Sequence, residues 1–172
     1  MLAAPSLTVV EIRGNVPTRV QKLAANPGID ATILAAAGVA RLGCRIKPDG
    51  RLIGEGLPDG ILATVIETEE MIPCVGQGAI GIEVREGDAL AASICAALDH
   101  HNTHRCVLAE RAFLRGMGGG CASPVAAAAR VTGHQVVMQA ISFAHGAPRR
   151  AEGSRPTHEA EQLGHEIAAK LR

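Results

Sequence analysis

Arginines flank a glycine and an asparagine in residues 13–19, RGNVPTR, one of four short segments of this 172-residue sequence whose residue types could do chemistry. The segment lies where a strand is expected to end and a helix to begin. Free N–H groups at a helix start, together with the guanidinium groups of Arg13 and Arg19, favour carboxylates or phosphates. The spacing therefore predicts an anion pocket. The alternative is two solvated arginines beside an ordinary helix cap.

A cysteine on a glycine-rich loop is the second candidate. Residues 118–124, GGGCASP, place Cys121 between an expected helix and an expected strand. Nucleophilic chemistry needs the thiolate, and the preceding helix presents its C-terminal end, whose dipole disfavours that form. Two interpretations stay open at this point: an accessible functional thiol, or a small inert hydrophobic side chain.

Two further segments predict no site by themselves. Residues 73–81, PCVGQGAIG, complete no nucleotide-binding glycine motif, and glycines at a strand entrance are more typical of a bulge or crowded packing. The histidine-rich stretch 100–106 invites a metal interpretation. A helix cap expected at Thr103 would keep His100 and His104 off a shared helical face, so we predict a polar turn there and no metal site.

The elements that position the first segment follow from hydrophobic patterning. Residues 6–12 are β-branched and apolar and predict a buried strand. Asn15 is the expected N-cap of a helix that ends at residues 26–28, NPG. Residues 31–37, ATILAAA, predict a second strand, which gives a β-α-β unit with parallel pairing. Residues 41–73 show no sustained period.

The second half of the chain has a different pattern. Residues 79–84 predict a strand, and apolar residues at 90, 94 and 98 predict a short amphipathic helix. Another helix should begin near Thr103 and end near Arg115. We place a domain boundary near Asn102, giving domains 1–102 and 103–172.

Beyond Cys121, two strand-like runs at 125–131 and 135–142 are joined by Gly133 and His134, which suits a two-residue turn with glycine first. A final helix should pack on this hairpin through Ala160, Leu163, Ile167 and Leu171. The region after residue 102 therefore predicts a small α+β domain.

Composition bounds the class of protein. Seventeen basic residues balance seventeen acidic ones, and only two residues are aromatic, so neither a nucleic acid nor an anionic membrane is predicted as a partner. Five scattered cysteines without a C-x-x-C pair argue against a disulfide framework and favour a reducing, cytoplasmic setting. No apolar run approaches the roughly 20 residues of a membrane helix.

Taken together, four segments resemble the porphobilinogen deaminase (hydroxymethylbilane synthase) family in the family's own order. They read RGNVPTR, DATILAAAGVARLG, VGQGAIGIEVR and AERAFLRGMGGGCASP, and they lie at 13–19, 30–43, 75–85 and 109–124. The resemblance implies a transferase that condenses four porphobilinogen molecules, with release of ammonia, into hydroxymethylbilane for haem and other tetrapyrroles.

The resemblance also implies a cofactor and its binding residues. In the family, a dipyrromethane is held as a thioether on the cysteine that corresponds to Cys121, and the growing pyrrole chain extends from it. The family's arginines bind the carboxylates of cofactor and substrate, and by motif these are Arg13, Arg19 and Arg41. Gln77, Ala35 and Gly38 match residues that line the cofactor cleft.

The implied fold is α/β, a partial periplasmic-binding-protein-like domain with parallel strands, followed by a small α+β domain with an antiparallel sheet and helices. Family members begin with another domain, which carries the catalytic aspartate. None of Asp30, Glu83 and Glu110 matches that position, so no catalytic residue is assigned here. Gly118 replaces a usual acidic residue, and Ala126 replaces a common glycine.

We therefore expect little or no turnover from this chain alone. A separate N-terminal domain or chain is the expected partner, as in a split enzyme. The alternative from another class is a non-catalytic module that binds a small polycarboxylate around Arg13 and Arg19.

Overall fold

The computed structural model describes residues 6–120, 123–144 and 146–172. The chain divides between Val65 and Ile66 into two compact units. The described residues form a mixed α/β structure of helices and antiparallel sheets. Its elements are α1 (Val16–Ala25), α2 (Ala36–Arg41), β1 (Arg45–Ile46), β2 (Leu52–Ile53), α3 (Ala89–Leu98), α4 (His101–Gly116), β3 (Val125–Thr132), β4 (Gln135–Ser142), β5 (Arg149–Pro156) and α5 (Ala160–Leu171), with a 3₁₀ turn at Thr157–Glu159.

The first unit is built around helix α1. Asn15 is the N-cap and Asn26 the C-cap, so both predicted ends of this helix are confirmed. A small core forms where Val20 of α1 meets Cys44 and Leu52, all of them buried. The short strands β1 and β2 pair antiparallel across the turn at residues 47–51 and supply Leu52 to this core.

The predicted strands at 6–12, 31–37 and 79–84 do not form among the described residues, where all strand pairing is antiparallel, so the parallel β-α-β unit is not confirmed. Residues 6–12 and 79–84 form no regular element, and α2 begins at Ala36, inside the second predicted strand. A strand needs a hydrogen-bonding partner, and these segments have none beside them. Many of their apolar side chains stay in solvent: Val9 is 71% exposed and Ile80 is 73% exposed.

Helix α3 is confirmed, with Asp88 as its N-cap. Its predicted apolar face is exposed, however, since Leu90, Ile94 and Leu98 are 72%, 57% and 67% accessible. The periodicity therefore identified the helix but not a partner that covers it.

The second unit contains a three-stranded antiparallel sheet in the order β3-β4-β5. The predicted hairpin is confirmed, with Thr132 opposite Gln135. Gly133 has φ +61° and His134 does not have a positive φ, as a turn with glycine first requires. Strand β5 was missed because its sequence, RRAEGSRP, has almost no apolar residues.

Helices α4 and α5 cover this sheet and cross each other closely. The predicted face of α5 is confirmed, since Ala160, Leu163, Ile167 and Leu171 are each at most 1% exposed. They pack in one core with Phe113 of α4 and with Val136 and Met138 of β4. Because Gly164 has no side chain, α5 can approach the backbone of α4.

The predicted cap at Thr103 is wrong. Helix α4 begins at His101, and the Nδ1 of His100 accepts from the Thr103 backbone N–H at 3.4 Å. A histidine nitrogen can accept this bond when the ring is neutral, so the cap lies three residues earlier than serine and threonine preferences indicate. The domain boundary near Asn102 stays a prediction. None of the helices in the described segments is long and apolar enough to cross a membrane.

Candidate functional site

The predicted anion loop of the first unit is shaped by Gly14 and Asn15. Gly14 has φ +128°, and a Cβ there would lie 2.7 Å from the Thr18 Cγ2 atom, so only glycine fits without strain. The Asn15 Oδ1 atom accepts from the Thr18 backbone N–H at 2.9 Å and from the Thr18 hydroxyl at 2.7 Å. The start of α1 is therefore fixed by its own sequence.

Basic side chains of α1 hold the same loop. The Arg19 Nε donates to the Gly14 carbonyl at 2.9 Å, and the Lys22 Nζ donates to the Arg13 carbonyl at 2.8 Å. The Arg19 bond uses one of the five N–H donors of its guanidinium. The Arg13 side chain is 82% exposed and pairs with Glu11 at 2.7 Å. Because that pair is solvated, exchanging Glu11 for another carboxylate would cost little.

Ala35, Gly38 and Arg41 are on or beside α2, in the same unit. The Ala35 carbonyl accepts from the Gly38 N–H at 2.9 Å, and this hydrogen bond lies at the start of α2. A Cβ on Gly38 would lie 3.5 Å from a methyl group of Val16, so α2 packs beside the first residue of α1. Arg41 is the exposed last residue of α2. The first unit thus brings the predicted anion loop at residues 13–15, the RGN loop, next to α2.

Gln77 lies in the second unit, in the turn at residues 75–78. Its backbone N–H donates to the Cys74 carbonyl at 3.1 Å, and its side-chain Oε1 accepts from the Cys74 thiol at 3.0 Å. The turn lines an open groove of about 400 Å³. The groove is lined by residues of this turn, of α4 and of β3: Gly76, Gln77, Gly78, Ala79, Asn102, Thr103, Cys106, Val107, Glu110, Ala129 and Val131.

Glu110 is the buried carboxylate of this groove, with 8% of its surface exposed. Its Oε2 accepts from the Gly76 N–H at 2.7 Å, and its Oε1 accepts from the Ala129 N–H at 2.8 Å. Burial raises the pKa of Glu110, and the two backbone hydrogen bonds offset part of that rise. Burial, followed by the charge of Glu110, also raises the pKa of the Cys106 thiol.

Sequence reasoning missed this role of Glu110. The available signal was its position: it follows Cys106 by four residues and precedes Phe113 by three, which puts it on the inward face of α4. A charged residue on a buried helix face needs a partner, and here both partners are backbone groups distant in sequence.

The predicted anchor, Cys121, lies outside the described residues. On its N-terminal side, α4 ends at Gly116 and Gly118 has φ +72°. A Cβ on Gly119 would collide with the Ser123 hydroxyl oxygen, whereas a Cβ on Gly120 would meet no atom within 4 Å. The two residues before position 121 therefore carry no side chains. At Gly119 a side chain would collide with Ser123, so glycine is required there.

The histidines of 100–106 have local partners. His104 Nδ1 lies 3.0 Å from an oxygen of Asp99, and His100 caps α4. Among the described residues, no group of three or more His, Cys, Asp or Glu side chains could hold a metal ion.

Comparison with known proteins assigns the chain to a protein family. The model of the porphobilinogen deaminase dipyromethane cofactor binding domain matches residues 2–93, and the model of the porphobilinogen deaminase C-terminal domain matches residues 104–172. The chain belongs to the porphobilinogen deaminase family. The resemblance drawn from the four sequence motifs is therefore confirmed.

Individual members of the porphobilinogen deaminase family support this assignment. The porphobilinogen deaminase of Moorella thermoacetica is 41% identical over 98% of this chain, and that of Thermus thermophilus is 41% identical over 95%. The Sphingopyxis alaskensis enzyme is 49% identical over 72% of the chain. The chain spans about half the length of the first two relatives.

Proposed function

We propose that this chain supplies the cofactor-carrying part of a hydroxymethylbilane synthase, a transferase that condenses four porphobilinogen molecules with release of ammonia. The observation that carries the proposal is the match of two porphobilinogen deaminase domains, in order, along the chain. The product would serve haem and tetrapyrrole synthesis in the cytoplasm.

Cys121 would hold the dipyrromethane as a thioether. When bound, that group supplies the pyrrole terminus on which the product chain is built. The described neighbours suit this role, because Gly119 and Gly120 leave the segment before residue 121 without side chains. A thioether keeps a growing chain attached through successive condensations, which a reversible non-covalent complex would not.

The residues of the first unit suit carboxylate recognition. We assign the acetate and propionate groups of cofactor and substrate to Arg13, Arg19 and Arg41, since planar guanidiniums bind carboxylates in a bidentate fashion. Arg13 is solvent-exposed and Arg19 is fixed to the loop by one bond, so neither is committed to a buried partner. Ala35 and Gly38 would let a ligand approach the start of α2, and we assign Gln77 of the second unit to cofactor binding.

The unpaired apolar segments support a larger domain. We assign residues 7–12, 31–35 and 79–84 to strands of a periplasmic-binding-protein-like domain whose parallel partners are in the rest of a longer enzyme. Exposed side chains such as Val9, Ile33 and Ile80 would be covered there. Domain limits of 1–102 and 103–172, with residues 79–102 crossing back toward the first domain, are part of this proposal.

The chain alone should be inactive, because none of its acidic residues corresponds to the family's proton-handling aspartate. An N-terminal domain, in the same chain or a separate one, would provide that group. Porphobilinogen and the growing pyrrole chain are then ligands of the assembled enzyme.

A chimera tests this function. The part of the Moorella thermoacetica enzyme that this chain does not match would be fused before it, and hydroxymethylbilane formation from porphobilinogen measured. We expect turnover in the chimera and none in the chain alone. Cys121→Ser should abolish turnover, whereas the matched thiol control Cys95→Ser on α3 should retain it. A folded chimera without turnover would contradict the proposal.

A further inference from the structure

One buried carboxylate joins three separate parts of the second unit. Glu110, on α4, accepts from Gly76, which is 34 residues earlier, and from Ala129, which is 19 residues later. One carboxylate thus ties the turn that contains Gln77 to α4 and to β3. These two elements are the ones that flank residue 121 on either side.

A carboxylate is specifically suited to this position. Both N–H groups are donors, and Glu110 offers one acceptor oxygen to each. Glutamine has nearly the same shape but only one acceptor oxygen, and its NH₂ group cannot accept. If Glu110 only filled space, glutamine would serve equally well. Because Glu110 accepts two hydrogen bonds, glutamine would leave one of the two N–H donors without an acceptor.

The turn depends on two glycines with positive φ. Gly76 and Gly78 have φ of +72° and +83°, in the region that glycine adopts freely. The preceding residues are held to β3 by the bond from the Ala127 N–H to the Pro73 carbonyl at 3.1 Å and by the Arg130–Glu69 ion pair at 3.8 Å. The Gln77 side chain is held within the turn by the Cys74 thiol, and the Glu110 bond to Gly76 joins that turn to α4. Glu110 therefore places the turn, and Gln77 moves with it.

We propose that Glu110 is a positioning residue, whose carboxylate holds the Gln77 turn against α4 and β3. Glu110 does not need to touch cofactor or substrate for this role. The inference rests on the proposed function only in giving Gln77 a place in the cleft. The bridging geometry stands independently of that function.

Hydrogen exchange on the chain itself tests the bridge. In Glu110→Gln, the Gly76 or Ala129 amide should exchange at least about tenfold faster, since one donor loses its acceptor. The Ala140 amide, inside the sheet, reports global unfolding and should be unchanged. The matched control Glu86→Gln, at an exposed glutamate, should alter none of these amides. Unchanged exchange at both Gly76 and Ala129 would overturn the proposal.

A double-mutant cycle in the active chimera tests positioning against plain structural support. Glu110→Gln should lower kcat/KM for porphobilinogen roughly tenfold, as misplaced binding groups do. If it acts through Gln77, the same change in a Gln77→Ala background should cost less than about twofold. Equal losses in both backgrounds would refute the positioning role. An inactive chimera would refute the proposed function instead, and the exchange experiment would still decide the bridge.

Discussion

Replacing Gly164 with alanine should destabilise the second unit, although alanine is the better helix former. A Cβ at this position would lie 2.7 Å from the Ala112 Cβ atom and 2.7 Å from the Phe113 backbone nitrogen, and closer still to the Ala109 carbonyl oxygen. Two of these three atoms belong to the backbone of α4, so no side-chain rotation relieves the collision. The helices would have to move apart.

The magnitude is a balance of two opposing contributions. Alanine gains about 1 kcal/mol over glycine inside a helix. Overpacking a tight core costs about 1–3 kcal/mol, and backbone collisions place Gly164 at the upper end. We expect a net loss of about 1–2 kcal/mol, which lowers the Tm of a unit of this size by about 4–15 °C.

Urea unfolding and calorimetry of Gly164→Ala measure this net change in the free energy of unfolding. Ala169→Gly, at an exposed position on the same helix, isolates the propensity contribution and should cost about 1 kcal/mol. A Gly164→Ala protein that gains stability by the propensity amount would refute the close crossing of α4 and α5.

Three further predictions concern single groups. Asn15→Ala removes the cap of α1 and should cost the first unit about 1 kcal/mol, seen as faster exchange of the Thr18 amide; unchanged exchange would count against the cap. Because burial raises the pKa of Glu110, the native state binds more protons than the unfolded state at pH values just above the unfolded pKa of about 4.3. The free energy of unfolding should therefore fall as the pH rises from there to the native pKa of Glu110. Urea titrations at several pH values should show this decline, reduced in Glu110→Gln, and an identical pH profile in both proteins would contradict it. The Cys106 thiol should react with iodoacetamide only at higher pH than an ordinary thiol, and Glu110→Gln should shift that profile downward because the carboxylate charge contributes to the raised pKa.

The C-terminal region was predictable from sequence because its signals are local. Glycine at residue 133 set the hairpin and therefore its register, and the spacing of Leu163, Ile167 and Leu171 set the buried face of α5. Strand β5 was not predictable from hydrophobicity, since it is an edge strand whose side chains are mostly polar.

The N-terminal region was predictable only where a single residue decides the structure. Asn15 capped α1 as expected. An apolar run such as residues 31–37 does not determine a strand, because strand formation depends on a neighbour that the run itself does not encode. The turn at the RGN loop could be predicted from such local rules. The Glu110 bridge could not, because it joins residues that are far apart in the sequence.

Mass spectrometry of the Cys121 peptide from the active chimera would show whether this cysteine carries the cofactor. We expect this peptide to carry the mass of a dipyrromethane joined through the cysteine sulfur, and peptides containing Cys74 and Cys106 to be unmodified. An unmodified Cys121 in a chimera that makes hydroxymethylbilane would contradict this expectation.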